Sequence, residues 1–216
     1  MDYLGMIEQL AKGCGITIIV FCATYVMSIP LGMIVTLGVR SRFRVLRAVL
    51  HFYIYIMRGT PLMLQIFTIF YGLPCIPVIG PYLTLNSRMA AVLIAFTLNY
   101  AAYFAEIFRG GFLAVDKGQY EAAKVLGFSR SQTMFRIIFP QMFRVALPSL
   151  ANETITLVKD TSLVFVIGIG DLLEAAKNIA NAEVTILPYF FCMVFYLILT
   201  TVPALIFKKL EKKYSF

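Results

Sequence analysis

EAAKVLGFSRSQTMFRIIFP, residues 121–140, is the longest polar, helix-forming interval in a chain that is otherwise mostly lipid-soluble. It lies between two apolar spans, so it stands outside the membrane. Just ahead of it, Asp116 with Gln119 three residues on has the pattern of a capping box opening one short helix, and Ser129 with Gln132 repeats the pattern for a second. Gly127 is placed to close the first helix and Pro140 to stop the next. On the first helix Ala122, Ala123, Val125 and Leu126 make a small, flat, mildly apolar surface of the kind that seats in a partner's groove, with Glu121 at its edge. The same stretch has the outline of a DNA-binding helix-turn-helix opened at Ser129. That unit needs a soluble scaffold, and membrane spans flank this one, so no nucleic-acid partner is expected.

Composition sets the class. Of 216 residues, 60% are hydrophobic and 14% charged, which fits neither a soluble nor a disordered chain but a polytopic membrane protein. The net charge of +8 reports orientation, because basic residues collect in cytoplasmic loops. Cys14, Cys22, Cys75 and Cys192 show no paired metal spacing and read as packing residues. His51 is the only histidine, so the sequence builds no His-based metal or catalytic cluster.

Five spans are expected: 16–39, about 46–72, about 88–108, about 142–167 and about 186–207. Ile16 to Val39 carries no charge over 24 residues, about 36 Å as a helix. Residues 1–15 lack a basic start and a cleavage site, so this span is retained. Pro30 and Gly32 are expected to bend it. In the second span, Pro61 and Gly59 within Arg58–Pro61 predict a break, and Ala101, Ala102 and Ala105 give the third a small-residue packing face. The prolines at 74, 77 and 81 suit a rigid outer loop, and 168–185 reads as an outer segment with a short surface helix. Fourteen basic residues then fall inside, at 40, 42, 44, 47, 109, 117, 124, 130, 136, 144, 208, 209, 212 and 213. Only Lys12, Arg88 and Lys177 fall outside, which puts the amino terminus outside and the carboxyl terminus inside.

Charges remain within the spans. Arg58 and Lys159 are balanced by Glu153 and Asp160, as burial in hydrocarbon requires, while Glu106 has Arg109 three residues on to neutralise it. Arg58 lies about 18 Å into its span, and Glu153 and Asn99 about 16 Å into theirs, so the three meet near the midplane. Helical spacing groups Glu153, Thr156 and Asp160 on one face, and Asn99, Tyr103 and Glu106 on another. Two polar stripes with an arginine between them suit a zwitterionic ligand, and the substrate-contacting set is Arg58, Asn99, Tyr103, Glu153, Thr156 and Asp160. A reading in which these groups only satisfy one another stands beside it.

Glu121-Ala122-Ala123, three residues, Gly127, nine residues, Ile137, one residue, then Phe139-Pro140 resembles the EAA loop of the permease subunits of bacterial ABC importers; Phe139 replaces the usual Leu. Arg58 to Pro61 and the run NETITLVKDTSL from Asn152 to Leu163 are similar to the permeases of polar amino acid importers. The resemblance covers roughly residues 12–208. It implies an all-α polytopic membrane protein of five transmembrane helices, a single domain over 12–208 with a cytoplasmic coupling loop at 116–140 between spans three and four. In that loop Glu121, Ala122, Ala123, Gly127, Ile137 and Pro140 would transmit closure of an ATPase. It further implies two ATP-binding subunits, a second permease of the same or related sequence, an external solute-binding protein, and a bacterial inner-membrane location. The chain has no GxxxxGK[ST] loop, so no cofactor is expected on it, with ATP and Mg on the partner ATPase. Two rivals differ in class. A stand-alone ion-coupled carrier would also hold midplane charges but favours more spans in related halves. An intramembrane enzyme would need a nucleophile beside His51, and none is in place.

Overall fold

The computed structural model describes residues 3–214, and every regular element among them is helical. In chain order these are α1 (Tyr3–Val39), α2 (Arg44–Gly59), α3 (Leu62–Phe67), α4 (Gly80–Leu83), α5 (Arg88–Ala114), α6 (Lys117–Val125), α7 (Arg130–Gln132), α8 (Phe139–Asp160), α9 (Leu172–Glu183) and α10 (Leu187–Tyr214). A π turn over Thr68–Gly72 prolongs α3, a second over Thr133–Ile138 joins α7 to α8, and a 3-10 stretch over Thr161–Ile167 prolongs α8. Three helices, α1, α5 and α10, are long and apolar enough to cross a membrane.

α5 is the centre of the bundle. Phe96, Tyr100, Phe104 and Phe108, spaced at every fourth residue, are almost fully buried and form one wall of the main core. Their rings stand 6.2–6.4 Å apart along the helix, offset rather than face to face. α1 carries a narrow row of small buried residues, Gly13, Thr17, Thr24, Ser28, Gly32 and Thr36; Gly13 and Thr17 meet α9 at Asp171 and Leu172, while Gly32 and Thr36 meet α5. A Cβ on Gly32 would sit 2.8 Å from the Phe104 Cβ and 3.0 Å from the Ala101 carbonyl oxygen, so the two backbones meet where only glycine fits. Thr36 Oγ1 donates to the Ala105 carbonyl at 3.0 Å, fixing the register of the pair. The alanine face expected on span three is at the same contact, with Ala101, Ala102 and Ala105 all buried.

The break expected at Arg58–Pro61 is present. α2 ends at Gly59, Thr60 and Pro61 are extended, and α3 restarts at Leu62. Breaking a helix leaves carbonyls without partners, and two amides fill the gap. Gln65 Nε2 donates to the Met57 carbonyl at 3.0 Å, to the Thr60 carbonyl at 3.2 Å and to Thr60 Oγ1 at 2.9 Å. Asn99 Nδ2, arriving from α5, donates to the same Met57 carbonyl at 2.9 Å and to Gln65 Oε1 at 3.0 Å.

Three expectations are corrected. The first helix begins at Tyr3 rather than Ile16, because Met6 and Leu10 bury against Leu172, Ala176 and Ile179 of α9 and Cys192 of α10. Asp116 caps α6 by accepting from the Gly118 N–H at 2.6 Å, but Gln119 does not reach back; its Oε1 accepts from Gln141 Nε2 at 3.2 Å instead. Pro140 does not end a helix: helical structure continues from Arg130 to Asp160, and the π turn ahead of Pro140 widens the ladder where an α-helical register would press the ring onto the carbonyl four residues back. The Ser129–Gln132 capping box forms in both directions, at 3.2 and 2.8 Å.

Candidate functional site

α2, α5 and α8 enclose an open cleft of about 350 Å³ whose walls carry Arg58, Tyr103, Glu106, Gly110, Ser149 and Glu153. Each helix contributes for a local reason. Arg58 is the last side chain but one of α2, so the helix break holds it at the rim, 43% exposed. Tyr103, Glu106 and Gly110 are one turn apart on α5, and Ser149 and Glu153 one turn apart on α8.

The cations and carboxylates are unequally held. Glu106 accepts two hydrogen bonds from Arg109, at 2.9 and 2.7 Å, a bidentate pair. Arg58 touches the same carboxylate only at 3.6 Å and lays its guanidinium over the Tyr103 ring, 5.3 Å from the centroid. Glu153 makes no ion pair within 4 Å among the described residues, so the balance foreseen between Arg58 and Glu153 is replaced by an Arg58–Glu106–Arg109 triad. Arg58 is thus the exchangeable arm and Arg109 the fixed one.

Of the six residues expected to contact a ligand, Arg58, Tyr103 and Glu153 come together here. Asn99 is buried in the α2–α3 repair. Asp160 accepts from the buried Tyr100 hydroxyl at 2.7 Å, and no ion pair joins it to Lys159 among the described residues. Thr156 Oγ1 donates to the Asn152 carbonyl one turn back. Sequence reading passed over Ser149 and Gln65. Gln65 was detectable as the one amide in the apolar run after the break, whereas nothing local marks Ser149.

The segment 116–140 extends the same two helices. Two residues separate α5 from α6, and the chain returns from α6 through α7 directly into α8. α6 closes in a Schellman motif: the Phe128 N–H donates to the Ala123 carbonyl at 3.0 Å and the Gly127 N–H to the Lys124 carbonyl at 3.1 Å, with Gly127 at φ +77°. Ala123 is buried, while Glu121 and Ala122 face outward and Val125 and Leu126 are 87% and 72% exposed. Phe139 stacks within a ring cluster with Phe112, Phe135 and Phe143. Arg40 lies 4.4 Å above the Phe112 ring.

At the start of α9, Asp171 is fully buried. It accepts from the Glu174 N–H at 3.0 Å and from the Tyr196 hydroxyl at 3.3 Å, and burial pushes its carboxyl up to about 6.

The bundle thus joins three helices of membrane-crossing length to a cleft lined by charged and polar side chains. Residues 28–216 match the family described as the inner membrane component of binding-protein-dependent transport systems, and the chain belongs to it. The chain is 37% identical over 205 residues to a probable amino-acid ABC transporter permease, YckA of Bacillus subtilis, covering 94% of this chain and 88% of that one. It is 35% identical over 217 residues to the arginine transport permease ArtQ of the same organism, covering 99% and 97%. Among solved structures it matches a chain of an amino acid ABC transporter crystallised with histidines, at TM-score 0.86 and 29% identity over 99% of both chains.

Proposed function

We propose that the chain is the permease subunit of an ATP-driven importer of polar amino acids in a bacterial inner membrane. Its amino terminus lies outside, its carboxyl terminus inside, and it crosses five times, the interrupted α2–α3 segment and α8 joining α1, α5 and α10. The observation that carries the reading is the cleft in which a loosely held arginine and an unpaired glutamate face each other. An amino acid entering it trades hydration of both α-groups for protein contacts. Arg58 offers its fork to the carboxylate, exchanging Glu106, which keeps Arg109, for the substrate. Glu153 receives the ammonium, with Tyr103 covering the guanidinium. Asn99 and Asp160 act one layer back, holding α2 and α8 through Met57 and Tyr100, and Thr156 continues the Glu153 face.

Two ATP-binding subunits carry ATP and Mg, with a second permease and an external solute-binding protein completing the complex. Glu121, Ala122, Val125 and Leu126 dock on the motor. Gly127 fixes the end of that helix, and Ala123, Ile137 and Pro140 tie it to the bundle. Closure of the motor then reaches the cleft through α5 and α8, the two helices that frame both. Reconstitution with the motor and binding protein tests this: uptake of an amino acid that requires ATP is expected. A chain that carries solute without any ATPase would be a stand-alone carrier instead.

A further inference from the structure

α2 divides its circumference into three sectors. At 100° per residue, Leu50, Tyr53, Ile54 and Met57 share the side that packs with Val35 and Val39 of α1 and Ala102 and Ala105 of α5. Val45, Val49, Phe52 and Ile56 share a second side, 36–78% exposed, which is apolar throughout. Arg44, Arg47, His51, Tyr55 and Arg58 share the third, within an arc of about 80°. All five are exposed. They step along the helix at three or four residues, about 5 Å a step, over about 21 Å in all.

Within the span the second sector suits lipid and the third does not, since Arg58 set into hydrocarbon would cost about 2.5–3.5 kcal/mol; Arg47 and Arg44 continue its row to the inner surface. The row is also short of partners. Among the described residues no carboxylate lies within 4 Å of Arg44, Arg47 or His51. Glu106 is already committed to Arg109 and Arg58. At its upper end the row opens into the cleft through Arg58.

We propose that this row is an exit ramp for a carboxylate: it lines the inner half of the path and carries the α-carboxylate of a departing amino acid from Arg58 past His51 and Arg47 to Arg44. The proposal rests on the import reading. A graded row suits release better than one strong site, because each step offers a new donor before the last is given up, and none holds the ligand tightly enough to stall it. Electropositive lining also favours zwitterionic and anionic solutes over cationic ones.

The test uses the complete complex with Cys14, Cys22, Cys75 and Cys192 replaced, in vesicles, with a membrane-impermeant thiol reagent on the cytoplasmic side. His51→Cys and Tyr55→Cys are expected to react, and saturating substrate is expected to slow them; Val49→Cys and Phe52→Cys are expected to stay unlabelled. No reaction at His51→Cys and Tyr55→Cys means the row is sealed against protein, and equal reaction at all four means no sector is distinguished; either result overturns the ramp. In parallel, Arg44→Gln with Arg47→Gln is expected to lower the maximal uptake rate about 10-fold while half-saturation is unchanged and Lys at both sites restores the rate. Full uptake by the Gln pair overturns the proposal, and co-purification of the motor shows that the variant assembles. Uptake by the unmodified complex reads the import assignment separately, so a complex that imports amino acids yet fails the labelling test refutes the ramp alone.

Discussion

In the proposed reading Arg58 takes the carboxylate and Glu153 the ammonium, and their neighbours make that division testable. Because Glu106 keeps its bidentate bond to Arg109, Arg58→Met removes a charge without stranding a carboxylate. Arg58→Met is therefore expected to assemble normally, to hydrolyse ATP, and to lose uptake by 10-fold or more, the equivalent of about 1.4 kcal/mol or more. Glu153→Gln is expected to do the same, read by uptake at matched amounts of purified complex. Wild-type apparent affinity in both would assign these groups to structure and send the substrate elsewhere. Asp171 gives a pH test far from the cleft. Burial raises its carboxyl from 3.8 to about 6, so between those values the folded chain keeps a proton that the unfolded chain releases. Its contribution to stability is complete below about 3.8 and is lost as pH rises through 6. The thermal midpoint of the detergent-solubilised protein is expected to fall from pH 5 to pH 7, and Asp171→Asn, which still caps α9, is expected to flatten that slope.

At the scale of elements, the interruption between α2 and α3 and the closure of α6 were both legible in the sequence, since proline, glycine and capping residues act within a few positions of themselves. What repairs the interruption was less so. Asn99 stood in the sequence as a midplane group on a polar stripe, but its orientation depends on a carbonyl freed forty-two residues away. Pro140 failed as a stop for a related reason: a π turn, which no local residue announces, made room for the ring. Asn99→Leu leaves Gln65 Oε1 without its donor, while the Met57 carbonyl keeps Gln65 Nε2, and is expected to destabilise the bundle by about 1–3 kcal/mol, measured as a lowered thermal midpoint. Gly127 is the contrasting case. A Cβ there meets nothing within 4 Å, so only its positive φ resists substitution. Gly127→Asn is expected to couple nearly as well as wild type, and Gly127→Val to cost about 1–2 kcal/mol and weaken ATP-driven uptake. Equal behaviour of the two would separate helix closure from coupling.

Across the whole molecule, the charge asymmetry gives an expected orientation from the sequence alone, whereas the pairing of helices depends on shape. The glycine at 32 was legible only as a place for a bend, and its close contact with α5 was not. A cysteine placed at Asn181 is expected to react with an impermeant reagent from outside and one placed at Ser129 only from inside; the reverse would invert the topology.

The outward face of α6 has a cost when the chain is alone. Val125 and Leu126 are exposed at the very end of the helix, and in the proposed complex a bound motor is what covers them. A cell that makes this subunit in excess of its ATPase therefore displays an orphan's mark, a fixed apolar patch open to chaperones and proteases. Balanced synthesis of the two genes, rather than any feature of the membrane spans, would then set how much permease survives.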